Sequence, residues 1–317
     1  MDPLSTELKE KALGLGFDVV GIAAARAAKT GAHLRRWLDA GRHGGMGWMA
    51  HTAEVREDPR NVLPGCRSAV AVAMSYRTDR PPSLDCTDRA DGRVWISRYA
   101  WGRDYHRVMK KKMVRLGRWL EEQCPGSSWR ACVDTVPVLE REWAARAGLG
   151  WIGKNTSLLN RRLGSEVFLG VLLTDVELQA DRPVADHCGR CTACLDACPT
   201  QAILAPRVLD ARRCIAYLTI EHRGPVDPEL HLDMGVMVAG CDICQEVCPW
   251  TIKAPAGLHP EFEAAGHRYR PRLVDLESLD DAEFRIWRSG SPLGRIPFDQ
   301  FRRSLAIARA NLTKTND

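Results

Sequence analysis

Apolar and polar positions alternate at two different periods along the first 180 residues. Leu4 to Leu15 repeats at helical spacing, with Ser5 placed as its N-cap. Val19 to Ala25 is a short apolar run, and Ala69 to Ser75 combines β-branched with small residues; both predict strands, the second a buried one. Asp104 to Gln123 reads as a long amphipathic helix with Val108, Val114, Leu116, Trp119 and Leu120 on its apolar face. Trp129 to Asp134 and Val167 to Thr174 predict two further strands. Pro137 suits the first turn of a helix over Val138 to Ala147. The expected architecture is an α/β (α+β) domain over residues 1–180, a loop-rich cysteine segment over 181–255 and a short helical C-terminal segment over 256–317.

The cysteine segment carries the sharpest chemistry. Cys188, Cys191, Cys194 and Cys198, followed by Pro199, form C-x2-C-x2-C-x3-C-P. That is the ligand run of bacterial ferredoxins, in which the fourth thiolate goes to the neighbouring cluster. A second run holds Cys241, Cys244 and Cys248 before Pro249, but Val238 stands where its first cysteine belongs. Cys214, upstream, is the expected substitute. One [4Fe-4S] cluster is therefore assigned to Cys188, Cys191, Cys194 and Cys248, and a second to Cys198, Cys214, Cys241 and Cys244. Four-cysteine zinc sites also use C-x2-C, but two interleaved Cys-Pro runs are not zinc spacing. Cys66, Cys86, Cys124 and Cys132 show no ligand spacing.

Composition narrows the setting. The 317 residues suffice for one large or two ordinary domains, and the net charge of +5 permits an anionic partner without demanding one. No apolar run approaches the roughly 20 residues that span a bilayer. Met1 to Gly16 is charged and helical in pattern, which predicts no signal peptide. Thiolate clusters beside free cysteines suit a reducing cytoplasm.

Two motifs near the chemistry have bland readings. Gly148-Leu-Gly150-Trp-Ile-Gly153 matches G-x-G-x-x-G, but it follows a predicted helix where a dinucleotide fingerprint must follow a strand. Its glycines are expected to form a helix terminus and a close backbone approach to a large ligand. Asp104-Tyr-His106 begins like the corrinoid-ligand motif D-x-H-x-x-G, but Met109 occupies the glycine position. A helix-capping Asp104 beside a surface histidine is the expectation. More pointed is Asp134, in Asp134-Thr-Val-Pro-Val-Leu-Glu140-Arg141, at the end of a predicted strand. Against a large apolar cofactor its pKa would rise and it would serve as an acid; the alternative is a helix cap.

Four segments together resemble the epoxyqueuosine reductases, cobalamin-dependent iron–sulfur enzymes of tRNA queuosine synthesis. They are Asp58 to Gly65, Ser97 to His106, Asp134 to Asn155 and the cysteine segment, in order along nearly the whole chain. The resemblance implies reduction of the wobble-position epoxide to the alkene of queuosine, on cobalamin fed by two [4Fe-4S] clusters and an external electron donor. It implies that residues 1–180 are a corrinoid-binding domain, that Asp134 is the acid and that Ser97 lies near the cobalt. Arg56, Lys154 and Asn155 fall in segments that line the corrin pocket in relatives. Longer relatives end in a helical-repeat extension for tRNA, expected to be missing or minimal here. The expected partner is the anticodon stem-loop, met by a cytoplasmic monomer without a membrane. Two Lys/Arg runs are candidates to hold it, Lys110, Lys111, Lys112, Arg115 and Arg118, and Arg268, Arg270, Arg272, Arg302 and Arg303. Competing readings are another corrinoid iron–sulfur reductase of the reductive dehalogenase kind, or a ferredoxin-type electron-transfer module.

Overall fold

The computed structural model describes residues 2–86 and 91–313, so both extreme ends of the expected segments lie outside the described residues. At its centre is a four-stranded sheet of β1 (Val19–Ala24), β2 (Ser68–Ser75), β3 (Trp129–Cys132) and β4 (Val167–Thr174), in the order β1-β2-β4-β3. Every pairing is antiparallel, which makes the fold α+β and not α/β. All eight residues of β2 are buried because both faces of the sheet are covered. Alternate side chains point to opposite faces. Val70, Val72 and Met74 pack with helices α1 (Pro3–Gly14) and α2 (Tyr105–Gln123). Ala69, Ala71 and Ala73 pack on the other face with Trp143 and Ala144 of helix α3 (Glu140–Arg146).

Local sequence explains where these elements begin and end. Asp2, not Ser5, caps α1, because Pro3 takes the first helical position and the Asp2 carboxylate accepts from the Ser5 N–H at 3.0 Å. Asp104 caps α2 as expected. Its buried face holds Met109, Met113, Leu116 and Leu120, whereas Val108, Val114 and Trp119 are half-buried. The methionines go inside because β4 offers Gly170 beneath them; a Cβ there would lie 2.5 Å from Met113 Sδ. Strand β3 stops at Cys132, and Asp134 turns the chain with φ +54°. Helix α3 starts at Glu140, three residues beyond Pro137.

A second core joins distant stretches. The strand Trp95–Ile96 pairs in parallel with Met237–Ala239, and both pack with the helices Ile215–Ile220 and α4 (Phe298–Thr313). Two buried carboxylates fasten this core to its surroundings. Asp242, between two cysteines, accepts from Trp95 Nε1 at 2.9 Å, from the Arg98 N–H at 2.8 Å and from the Ser97 hydroxyl. Glu166, beside the start of β4, faces Arg98 Nε at 3.2 Å and Arg77 Nη1 at 2.9 Å. Among the described residues no helix is long and apolar enough to cross a membrane.

Arg98 and Glu166 are nearly sealed from water, with side-chain exposures of 2% and 1%. Removing Arg98 leaves the buried Glu166 carboxylate with Arg77 as its one remaining cation among the described residues. Arg98→Met is expected to destabilise the protein by about 3–5 kcal/mol, and pairing it with Glu166→Gln to recover much of that loss. Denaturant unfolding of the single and double variants checks it; an additive double variant would show that the two charges are not coupled.

Candidate active site and cluster cysteines

Asp134 leaves the sheet in the left-handed region of backbone space, a conformation that L residues other than Asn and Asp rarely adopt. The turn aims its carboxylate at an imidazole and a guanidinium from other parts of the chain. His106 Nε2 lies 3.0 Å from Asp134 Oδ2, and Arg295 Nη2 lies 3.3 Å from the same oxygen. The other imidazole nitrogen, Nδ1, is 2.7 Å from Asp104 Oδ1. Arg295 also donates to Glu221 Oε1 at 3.0 Å. Tyr105 stacks on the imidazole with ring centroids 4.0 Å apart.

These contacts set the charges. Burial pushes the Asp134 carboxyl up, but the His106 hydrogen bond and the charges of Arg295 and Arg56 outweigh it and hold it below the ordinary carboxylate range. The protein's own groups thus lower this carboxyl, and the rise expected from the sequence would have to come from contact with a large apolar cofactor. Burial pushes the His106 imidazole down, and the two carboxylates outweigh that, so it rests above its ordinary value. Glu140 behaves differently. Burial, then the nearby Asp134, pushes its carboxyl up to about 7, and its Oε1 is buried without a hydrogen-bond partner.

His106 and Arg295 also line a cavity of about 420 Å³ with Asp104, Lys110, Val133 and Thr135. It continues into a groove of about 410 Å³ along α2, lined by Arg107, Lys110, Lys111, Val114, Arg115 and Arg118. Lys112 is not part of it, because its ammonium is spent on the Leu15 carbonyl at 2.9 Å. The other basic run is mostly consumed inside the fold. Arg268 donates to the carbonyls of Trp101, Gly102 and Ser289, Arg270 to Asp91, Arg302 to the Glu277 carbonyl and Arg303 to that of His222.

The eight expected cluster cysteines fall into two neighbourhoods. Burial pushes the Cys194 thiol up to about 11, followed by the influence of Cys248, Cys188 and Cys191. Burial then Cys244 and Cys214 raise Cys241, while burial then Cys198 raises Cys214. Cys244 is raised by burial and then by Cys214, Cys194 and Cys198, so the two neighbourhoods adjoin. All twelve cysteines are free thiols. Among the described residues no three His, Cys, Asp or Glu side chains close on a point as ligands of one ion would. Two groups of four thiols fit two cubanes in donor chemistry, and loading them must displace protons from raised thiols.

Of the other sequence candidates, three lean on the cluster loops. Lys154 Nζ donates to the carbonyls of Gly189 and Cys191, both at 2.8 Å. Asn155 Nδ2 donates to the Cys244 carbonyl at 3.1 Å, and Ser97 to Asp242. Arg56 stands apart with Asp134 and Glu140, its Nη1 3.4 Å from the Val138 carbonyl. The Gly148 to Gly153 motif ends α3 with φ +80° at Gly148 and then enters the hairpin strand Trp151–Ile152. A Cβ on Gly150 would lie 2.0 Å from the Leu159 carbonyl oxygen, so the close approach is to protein backbone and not to a ligand. Sequence reasoning missed Arg295, which has no motif around it, and it undervalued His106.

Two adjoining groups of four thiols, in a chain that also has a cavity lined by His106 and Arg295, point to an iron–sulfur oxidoreductase. A family model described as "4Fe-4S double cluster binding domain" matches residues 187–251, and another, "Epoxyqueuosine reductase QueG, DUF1730", matches residues 56–135. An epoxyqueuosine reductase of Synechococcus sp. (strain CC9605) is 44% identical over 98% of this chain and 96% of its own. That of Escherichia coli (strain K12) is 38% identical over 98% and 82%. The fold matches a crystal structure of an epoxyqueuosine reductase with an epoxyqueuosine-modified tRNA-Tyr stem loop, with TM-score 0.89 and 31% identity over 99% of this chain and 82% of that one. It also matches the Bacillus subtilis enzyme with its catalytic aspartate loop swung out of the active site, at TM-score 0.89 and 30% identity over 99% and 82%. The chain belongs to the epoxyqueuosine reductase family.

Cys214 is the expected ligand that the spacing alone does not supply. After anaerobic reconstitution the wild type should hold about eight iron atoms, and Cys214→Ala about four to five, with the remaining cluster intact. Iron and sulfide assays check it; full iron content in the variant would remove Cys214 from the ligand set.

Proposed function

We propose that this protein reduces epoxyqueuosine to queuosine at the wobble position of tRNA, with Asp134 handing a proton to the departing epoxide oxygen. The observation that carries the proposal is the Asp134–His106–Arg295 cluster, opening onto a basic groove and lying in a chain of this family. The reaction takes up two electrons and two protons and releases water. Each cluster passes one electron at a time, so an external donor feeds the pair.

Cobalamin fits the donor set on one observation, the unpartnered buried oxygen of Glu140 beside Asp134 and Arg56. The amide fringe of a corrin ring offers donors for such an oxygen. Arg56 and Glu140 on one side, and Ser97, Lys154 and Asn155 against the cluster loops, are the residues that would hold it. When bound, it supplies a low-valent cobalt that brings reducing equivalents to the epoxide. The protein's own side chains orient the base and move the protons.

The α2 groove supports tRNA as partner. Arg107, Lys110, Lys111, Arg115 and Arg118 follow helical spacing on one face, all exposed. Lys110, Lys111, Arg115 and Arg118 form no ion pair among the described residues. A row of unspent cations suits a phosphate backbone, and a base to be reduced must leave its stack to reach Asp134. A monomer in the reducing cytoplasm suits the free thiols.

Two experiments test this reading. Asp134→Asn retains size and hydrogen bonding but cannot donate as an acid; it should load clusters and cobalamin normally and lose about 10²–10⁴-fold in single-turnover rate on the modified stem-loop. An active Asp134→Asn enzyme would exclude Asp134 as the donor. Lys110→Ala/Lys111→Ala/Arg115→Ala should weaken stem-loop binding and reduce the steepness of its salt dependence by roughly two to three ions, whereas Lys112→Ala should leave that slope unchanged. Equal slopes for the triple variant and the wild type would move the phosphate contacts elsewhere.

A further inference from the structure

Both nitrogens of the His106 ring face carboxylate oxygens, Nδ1 at 2.7 Å from Asp104 and Nε2 at 3.0 Å from Asp134. A neutral imidazole owns one N–H, so it can satisfy only one of these contacts as a donor. Asp104 is an acceptor in its own right, since the same Oδ1 takes the His106 backbone N–H at 3.1 Å in capping α2. Asp134 is likewise an acceptor, because Arg295 donates to the very oxygen that meets Nε2. A guanidinium never supplies the missing acceptor. The arrangement therefore calls for one proton more than a neutral ring between two carboxylates, and the ring is the group with room for it.

We infer that the proton used in the reduction rests on His106 before substrate binds, and that Asp134 passes it on without holding it. This rests on the proposed function for the identity of the acceptor. His106 acts through Asp134, so it is a positioning and proton-holding residue and need not touch the substrate.

The electrical surroundings agree. The groups facing the pair are Asp104, Tyr105, Arg107 and Lys110 around the start of α2, Tyr99 before it, Arg295 from the 292–295 turn with its partner Glu221, and Arg56, Glu140 and Arg141 on the Asp134 side. Two carboxylates lie in direct contact with the ring, while Arg107 reaches only Asp104, at 3.7 Å. His106 accordingly rests above its ordinary value and Asp134 below its own. An epoxide oxygen that enters beside Asp134 takes the proton from Oδ2 as Nε2 gives it up, and one C–O bond breaks. The second C–O bond breaks as the oxygen takes another proton and leaves as water. The two electrons arrive from the external donor that the activity already requires. Asp134 keeps 41% of its side-chain surface exposed, so the pair can be recharged from solvent between the two protonations.

The test compares wild type with His106→Gln, both loaded with clusters and cobalamin, in single turnover on the epoxyqueuosine stem-loop from about pH 5 to about pH 9. Wild-type rate should fall as pH rises through a value above about 6.5, the ordinary histidine pKa. His106→Gln should lose about 10²-fold at neutral pH, and its falling limb should move at least about one unit towards acid, because Asp134 beside Arg295 must then collect its own proton. Added imidazole should restore part of the rate, and stem-loop affinity should stay within about two-fold. In the substrate-free enzyme, the ¹³C-labelled His106 ring should titrate above about 6.5 and drop in Asp134→Asn. A variant whose limb coincides with wild type, or a His106 ring that titrates at or below its ordinary value, would overturn the inference. A wild type inactive on the stem-loop would instead overturn the assigned substrate, and the ring titration would still decide where the proton sits.

Discussion

A carboxylate taken wholly out of water has to find its partners inside the protein or lose its charge. Asp242 is in that position, between two cysteines expected to hold the same cluster, and its partners all come from residues 95–98. That requirement fixes the parallel pairing of Trp95–Ile96 with Met237–Ala239, since the indole, the hydroxyl and the backbone N–H have to arrive together. Gly240 completes the joint; a side chain there would press on Ser97 Cβ at 2.5 Å. Arg98 then carries the connection to Glu166 beside the central sheet. Ser97, expected near the cobalt, and the loop expected to hold the second cluster are thus tied together, which would suit a relay that loses rate with distance.

The elements that form this frame were readable to different depths. β2 and β4 are long and apolar enough to be seen as strands, and Asp104 announces α2 by ordinary capping chemistry. The cysteine spacing carries its meaning directly, because two short intervals are what one loop needs to wrap a cubane. The antiparallel order of the sheet was not readable, since strand neighbours are chosen by long-range packing. Met109 and Met113 went unnoticed because their burial is decided by a glycine on another element. Arg295 could not be found at all: nothing in its neighbourhood refers to Asp134, and their contact exists only once the last part of the chain has folded back.

The distribution of positive charge also becomes intelligible in the fold. Arg268, Arg270 and Arg302 cap carbonyls or pair with an acid, so they add rigidity and offer little to a polyanion. Helix α2 keeps its cations on the face opposite the methionines, where packing asks nothing of them. Net charge alone understates such a surface, because it sums spent and unspent charges. Only position separates the two.

Arg295 reaches Asp134 from 161 positions further along the sequence, and it lies near the end of the described chain. Synthesis proceeds from the N-terminus, and the sheet, the imidazole and all eight cluster thiols emerge earlier. Until residues 292–313 fold back, Asp134 therefore lacks Arg295, and the core beside Cys214 and Cys241 lacks α4. The Asp134 cluster is thus a late product of folding, completed by the same part of the chain that closes the core beside the expected cluster cysteines.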